Sequence, residues 1–257
     1  SQQARCQTSD APQSGALAIY RADGDALDSS GHDNYGEYLG TARYAPGLAG
    51  EAFDFDGEES YVATPLRVSP DDVSDTTWTV WARPRRNDSR RLLLEADDAG
   101  FDRFITIENG FGGIGTGRGI WCPAEAKLDA WQHLAVVFAR GSIRFYVNGQ
   151  EYMCPDAPVG QESQTKLRIG GSPLWKQFFD GLADEVEIYD RALGADEIKA
   201  IYEKLRPAAE SSRQECAGSA RVENNAIAAE RPADQPPAAP DAQPTPPKSE
   251  LSTGDSA

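Results

Sequence analysis

Trp131-Gln132-His133-Leu134-Ala135-Val136-Val137-Phe138-Ala139-Arg140-Gly141-Ser142-Ile143-Arg144-Phe145-Tyr146-Val147-Asn148-Gly149-Gln150 is the stretch that decides the fold. Leu134, Val136 and Phe138 recur at every second position, and so do Ile143, Phe145 and Val147. That is the period of a strand with one face buried. Arg140-Gly141-Ser142 turns the chain between the two runs, so the pair reads as a hairpin. Asn148-Gly149 follows, the dipeptide best suited to the positive φ angles of a type I′ turn. It passes the chain to a third strand, Gln150 to Cys154.

Outward from this meander the same period recurs. In Trp78-Thr79-Val80-Trp81-Ala82-Arg83, one face carries Trp78, Val80 and Ala82, and the other carries Thr79, Trp81 and Arg83. Further strands are expected at Leu17–Arg21, Ala52–Phe55, Tyr61–Ala63, Arg91–Glu95, Phe104–Glu108, Gly119–Cys122, Lys166–Ile169 and Asp184–Tyr189. One helix is expected, from Ala195 to Lys204, with Ile198, Ile201, Tyr202 and Leu205 along one stripe. Many short strands and one late helix indicate an all-β, two-sheet antiparallel sandwich or jelly roll.

Composition sets the limits of the domain. Residues 1–13 are polar and aperiodic, an N-terminal extension. Residues 207–257 hold eight of the 17 prolines and no Phe, Tyr or Trp, too little apolar surface to offset the entropy of ordering. They are expected to form a Pro/Ala-rich disordered tail, leaving 14–206 as the folded domain. A net charge of −16 argues against nucleic acid as a partner, since basic residues occur only in short groups such as Arg85, Arg86, Arg90 and Arg91. No apolar run approaches the roughly 20 residues of a membrane span. The first residue is Ser1 rather than Met, from which a processed or truncated chain is expected.

The four cysteines, Cys6, Cys122, Cys154 and Cys216, show no zinc spacing. Free buried thiols and disulfides both remain open, and an even count in an acidic sandwich favours disulfides and an oxidising compartment. Cys122 and Cys154 each end a strand-like run and each precede Pro, which makes them the first expected pair. Closing that loop would contribute about 3–4 kcal/mol in the chain-entropy model. Cys6 and Cys216 are then paired by elimination.

The chain resembles bacterial laminin-G-like jelly-roll domains of the concanavalin A-like lectin/glucanase superfamily. The resemblance rests on blocks in a fixed order from about residue 14 to 205. They are Leu17-Ala18-Ile19-Tyr20 with the loop through Gly31, Ala52-Phe53-Asp54-Phe55-Asp56-Gly57, Trp131 to Phe138, Ile143 to Gln150, Leu167-Arg168-Ile169-Gly170-Gly171, and Phe179 to Leu193 leading into Glu197-Ile198-Lys199-Ala200-Ile201-Tyr202. The strand at Trp78 is slightly shorter than the family's usual version. The resemblance implies a jelly roll and export, whether secreted, periplasmic or at the cell surface. Carbohydrate binding, adhesion and polysaccharide hydrolysis or lysis all occur on this fold, which does not choose among them.

Asp23, Asp25 and Asp28 are spaced so that their oxygens could converge in one loop on a hard cation. The resemblance adds Asp184 and implies a structural calcium ion; the simpler reading is that Asp28 caps a turn through its own backbone. For catalysis, the carboxylate pattern of jelly-roll glucanases is most nearly approached by Glu185 and Glu187, which an unbroken strand places on one face. No nucleophile elbow, P-loop or zinc-peptidase motif occurs. For ligand binding, Trp81, Arg83, Arg118, Trp121 and Trp175 are the candidates, aromatics to stack on a sugar and cations to bond its hydroxyls. The expected function is a non-catalytic extracellular module that binds a glycan or a protein. The alternatives are a polysaccharide hydrolase or lyase and a structural surface component.

Overall fold

The computed structural model describes residues 15–96, 103–116, 120–140, 142–153 and 166–211. The chain divides between Ala217 and Gly218, and all of these residues belong to the first unit. Its strands are β1 Ala16–Tyr20, β2 Glu37–Leu39, β3 Tyr44–Pro46, β4 Glu51–Asp56, β5 Tyr61–Arg67, β6 Thr76–Pro84, β7 Arg91–Ala96, β8 Arg103–Glu108 and β9 Phe111–Thr116. They continue as β10 Ile120–Glu125, β11 Gln132–Ala139, β12 Ser142–Val147, β13 Gln150–Met153, β14 Lys166–Ile169, β15 Gly171–Ser172, β16 Gln177–Phe178 and β17 Asp180–Tyr189. A helix, α1, follows at residues 195–211.

Sheet A runs β13-β12-β11-β6-β17-β4-β3, with β1 also paired to β17. Sheet B runs β10-β9-β8-β7-β14-β5-β2, and the small hairpin β15–β16 attaches to β7. Residues of opposite alternation therefore separate into two layers. Trp78, Val80 and Ala82 of β6 join Leu134, Val136 and Phe138 of β11 and Phe145 and Val147 of β12 in the core between the sheets. Sheet B contributes Leu93, Ile105, Ile107, Ile114 and Ile169. Each large side chain removed from water in this way contributes about 1.5–3 kcal/mol.

The opening meander forms as its alternation dictates. Residues β11 and β12 pair from Leu134–Val147 to Ala139–Ser142, and Asn148 and Gly149 turn the chain with φ of 52° and 75°. Gly149 has a second constraint: a Cβ there would stand 2.9 Å from Cδ1 of Tyr202 on α1. The strand at Trp78 spans nine residues.

Two features lay beyond the sequence pattern. The glycine-rich run after Phe111 forms β9, a strand that strand propensity alone argues against. It is held between β8 and β10, and Gly112 lets the ring of Phe145 approach within 3.2 Å of where a Cβ would be. The helix also runs past both its expected end at Lys204 and Pro207, so the expected domain boundary at Arg206 falls inside α1. Ala209 continues the apolar stripe and is buried with Trp81, Trp131 and Leu182. Arg206 meanwhile pairs with Glu203 and Glu210 across the proline.

Candidate functional site

The acidic candidates cluster where β17 meets the loops of β1 and β4. Between Asp184 and Glu187 the register of β17 against β6 shifts, and Glu185 takes a positive φ of 48°. This is a β-bulge, in which an extra residue re-aims its side chain. Glu185 consequently turns to Arg21, whose guanidinium donates to both carboxylate oxygens at 3.1 and 2.9 Å. Glu187 is buried beneath α1 and accepts the hydroxyl proton of Tyr189. Burial, with Glu185 nearby, pushes its carboxyl above the usual range. The alternative reading, with Glu185 and Glu187 as a catalytic pair, loses its simple strand geometry here. The bulge removes the simple two-residue relationship, and each carboxylate has a partner within the protein, Arg21 for Glu185 and Tyr189 for Glu187.

The four expected calcium ligands do not converge either. Asp28 is buried and accepts from the backbone N–H of Ile19, Ser30 and Asn34 and from the Ser30 hydroxyl, at 2.8–3.0 Å. Burial opposes ionisation there, but these donors outweigh it and hold the carboxyl low. Asp25 accepts the N–H of Leu27 in its own turn. Asp184 and Asp23 share a different task, because both grip the turn joining β3 to β4. Asp184 accepts from Leu48 and Ala49 at 2.7 and 3.2 Å and from the N–H of Glu185 at 2.8 Å, while Asp23 accepts from Glu51 at 3.0 Å. As a set of four these residues do not fit one cation, and among the described residues no group of three His, Cys, Asp or Glu side chains is arranged to hold a metal ion. Burial first, then proximity to Glu185, pushes Asp184 up to about 7.

Ser30 Oγ lies 3.1 Å from Nδ1 of His32. Ser30 nevertheless donates its proton to Asp28, whose low proton affinity makes it a poor base. The trio is a turn, not a nucleophile.

Among the aromatic candidates, Trp81 is only 1% exposed. Tyr202 of α1 stacks on it at 5.7 Å, so it cannot serve as a sugar platform. Arg83 is half-buried on the same face of β6. Arg118 and the cysteines Cys6, Cys154 and Cys216 lie outside the described residues, as do the side chains of Trp121 and Cys122. Trp175 is different. It sits in the turn between β15 and β16 and is 42% exposed beside Leu174 at 54%. Lys176 next to it closes the turn with φ of 52°. Behind the tip, Phe178 packs against Tyr61 with ring centres 6.3 Å apart.

One polar feature of sheet B escaped the sequence reading. Cross-strand register lines up Ala63, Arg168, Glu95 and Phe104, and Arg168 donates to the fully buried Glu95 at 2.6 Å. The available signal was a charge set among apolar neighbours on each strand, Glu95 between Leu94 and Ala96 and Arg168 between Leu167 and Ile169.

The two-sheet architecture with an outer helix and a projecting aromatic hairpin defines a jelly roll of the lectin-like class. A family model described as the concanavalin A-like lectin/glucanases superfamily (Laminin_G_3) matches residues 56–199, and the chain belongs to this family. Adhesion G-protein coupled receptor V1 of Danio rerio is 25% identical over 150 residues, covering 52% of this chain; the chain spans 2% of that receptor's length. Among solved structures, domain 4 of AbnA, a GH43 extracellular arabinanase from Geobacillus stearothermophilus, in complex with arabinotriose, superposes with a TM-score of 0.61 at 24% identity. That match covers 73% of this chain and 98% of that one. The receptor binding domain of a botulinum neurotoxin C/D mosaic serotype gives 0.62 at 12% identity, covering 74% and 51%. These likenesses concern the fold. Among the described residues no helix is long and apolar enough to cross a membrane.

Proposed function

We propose that the chain is a non-catalytic, exported binding module that holds a glycan through its Trp175 hairpin tip. The observation that carries this reading is the contrast among tryptophans. Trp78, Trp81 and Trp131 are at most 2% exposed, whereas Trp175 offers a ring to solvent. An exposed indole beside Leu174 supplies the flat apolar surface on which sugar C–H faces stack, and Lys176 and Gln177 bring donors for hydroxyl groups. Support of a second kind comes from solved structures of the same fold: the arabinanase domain was solved in complex with arabinotriose, and a botulinum neurotoxin type C structure (TM-score 0.60, 11% identity) belongs to a toxin whose cell entry depends on interaction with two ganglioside molecules. The engaged state of Glu185 and Glu187 leaves the hydrolase alternative without its candidate acids.

A glycan array followed by titration of any hit tests the proposal. Trp175→Ala should abolish or weaken binding at least tenfold, and Glu185→Gln should bind as the parent does. Retained affinity in Trp175→Ala would place the contact elsewhere. Export implies an oxidising setting, so peptide mapping without reduction should recover Cys122–Cys154 and Cys6–Cys216 as linked pairs.

A further inference from the structure

The side of sheet A that faces α1 contains a polar inconsistency. Thr79 Oγ1, Trp81 Nε1 and both ring nitrogens of His133 are fully buried with no hydrogen-bond partner within the protein. A fifth such atom, Ser172 Oγ, belongs to β15 in the other sheet. The four are neighbours by register, His133 lying opposite Trp81, and Thr79 opposite Ala135 one step along the same face. Leaving a buried donor or acceptor unmade costs about 1–3 kcal/mol each, and native structures rarely tolerate several together.

We propose that this face holds one or more internal water molecules, bonded to His133, Trp81 Nε1 and Thr79 Oγ1 and sealed in by α1. The chemistry of the atoms selects water. Indole Nε1 only donates, a threonine hydroxyl both donates and accepts, and a neutral imidazole has one nitrogen of each kind. Burial keeps His133 neutral, with its pKa pushed down to about 3. The two ring nitrogens point away from one another, so the molecules serving this set must between them accept from Trp81 and from the protonated imidazole nitrogen and donate to the other. Water does all of this, and buried water characteristically makes two to four such bonds in polar sites.

The surroundings exclude anything much larger. Tyr202 lies 5.7 Å from the ring of Trp81 and 6.1 Å from that of His133, and Ala209, Leu205 and Trp131 close the lower end. The backbone of His133 is fixed as well. Its N–H donates to Asn148 Oδ1 at 2.9 Å, and its carbonyl accepts from the N–H of Asn148 at 2.8 Å.

A high-resolution crystal structure of the full chain and the variant Thr79→Val together test the proposal. The expected density shows water about 3 Å from a His133 ring nitrogen, from Trp81 Nε1 and from Thr79 Oγ1. Thr79→Val should then leave Tm unchanged or lower, because it removes one of the water's partners. In a dry site the same variant deletes an orphaned hydroxyl and should raise Tm by about 2–6 °C. Absence of density between these atoms, direct bonding of His133 to another side chain, or a raised Tm in Thr79→Val would each overturn the proposal.

Discussion

Asp184→Asn, followed across pH, isolates the energetics of the buried acid on β17. Asp184 is fully buried, and its carboxyl is pushed from the ordinary 3.8 up to about 7. Because the folded state holds the proton more tightly than the unfolded state does, the acid's contribution is greatest below 3.8. It is lost as pH rises through the folded value near 7. That difference in proton affinity corresponds to about 4 kcal/mol in all. An asparagine cannot ionise. It can still accept from Leu48 or Ala49 but presents no second acceptor to the N–H of Glu185, a loss of about 1–3 kcal/mol. The parent should therefore be the more stable protein near pH 4.5, and by about pH 8.5 the advantage should vanish or reverse. The assay is urea denaturation followed by tryptophan fluorescence at several pH values in EDTA. His133, buried and neutral down to about 3, loses stability in acid in both proteins alike, so the difference between them reports Asp184. Parallel stability curves would refute the reasoning. A slope that disappears when calcium replaces EDTA would show that Asp184 serves a cation, overturning its description as a buried proton-binding acid.

Arg103 is buried with its guanidinium over Phe138 and donates to the carbonyls of Val68, Val73 and Ser74 at 2.7–2.9 Å. Arg103→Met should cost about 3–5 kcal/mol in urea denaturation, since charge-assisted bonds are lost and three carbonyls are left unpaired; a loss under about 1 kcal/mol would contradict this. Gly149→Ala meets both a positive φ and the ring of Tyr202, whereas Gly31→Ala, at φ of 90°, meets no atom within 4 Å. Both should destabilise by about 1 kcal/mol from φ alone, and Gly149→Ala by a further 1–2 kcal/mol, read from paired melts. Trp175→Phe should remove a readily acrylamide-quenched component of the tryptophan emission while changing stability by less than about 0.5 kcal/mol. Unchanged quenching would show that the tip is covered.

The parts legible in the sequence were those governed by local period. The β11–β12–β13 meander, the core face of β6 and the stripe of α1 all follow from alternation and turn chemistry. Trp81 shows where that reasoning stops. Alternation says that its ring leaves the core between the sheets, but not that a helix more than a hundred residues later covers it. Glu185 and Glu187 fail differently, because a bulge adds one residue to a strand without a glycine to mark it. The strand β9 was hidden because its order comes from β8 and β10 on either side, not from its own glycines. Trp175 could be named as a candidate from its residue type, while its exposure follows from the short turn between β15 and β16.

Ala16 at the start of β1 lies opposite Tyr189 at the end of β17. The first and last strands thus meet as an antiparallel pair whose chain ends emerge at the same end of the ladder. A tensile load applied through those ends would act across the hydrogen bonds one after another, as a zipper opens, and would not load them together in shear. Force spectroscopy should therefore record early, low-force peeling of β1 from β17 once α1 has detached. The remaining strands should resist longer, making this domain mechanically compliant where β1 begins and β17 ends.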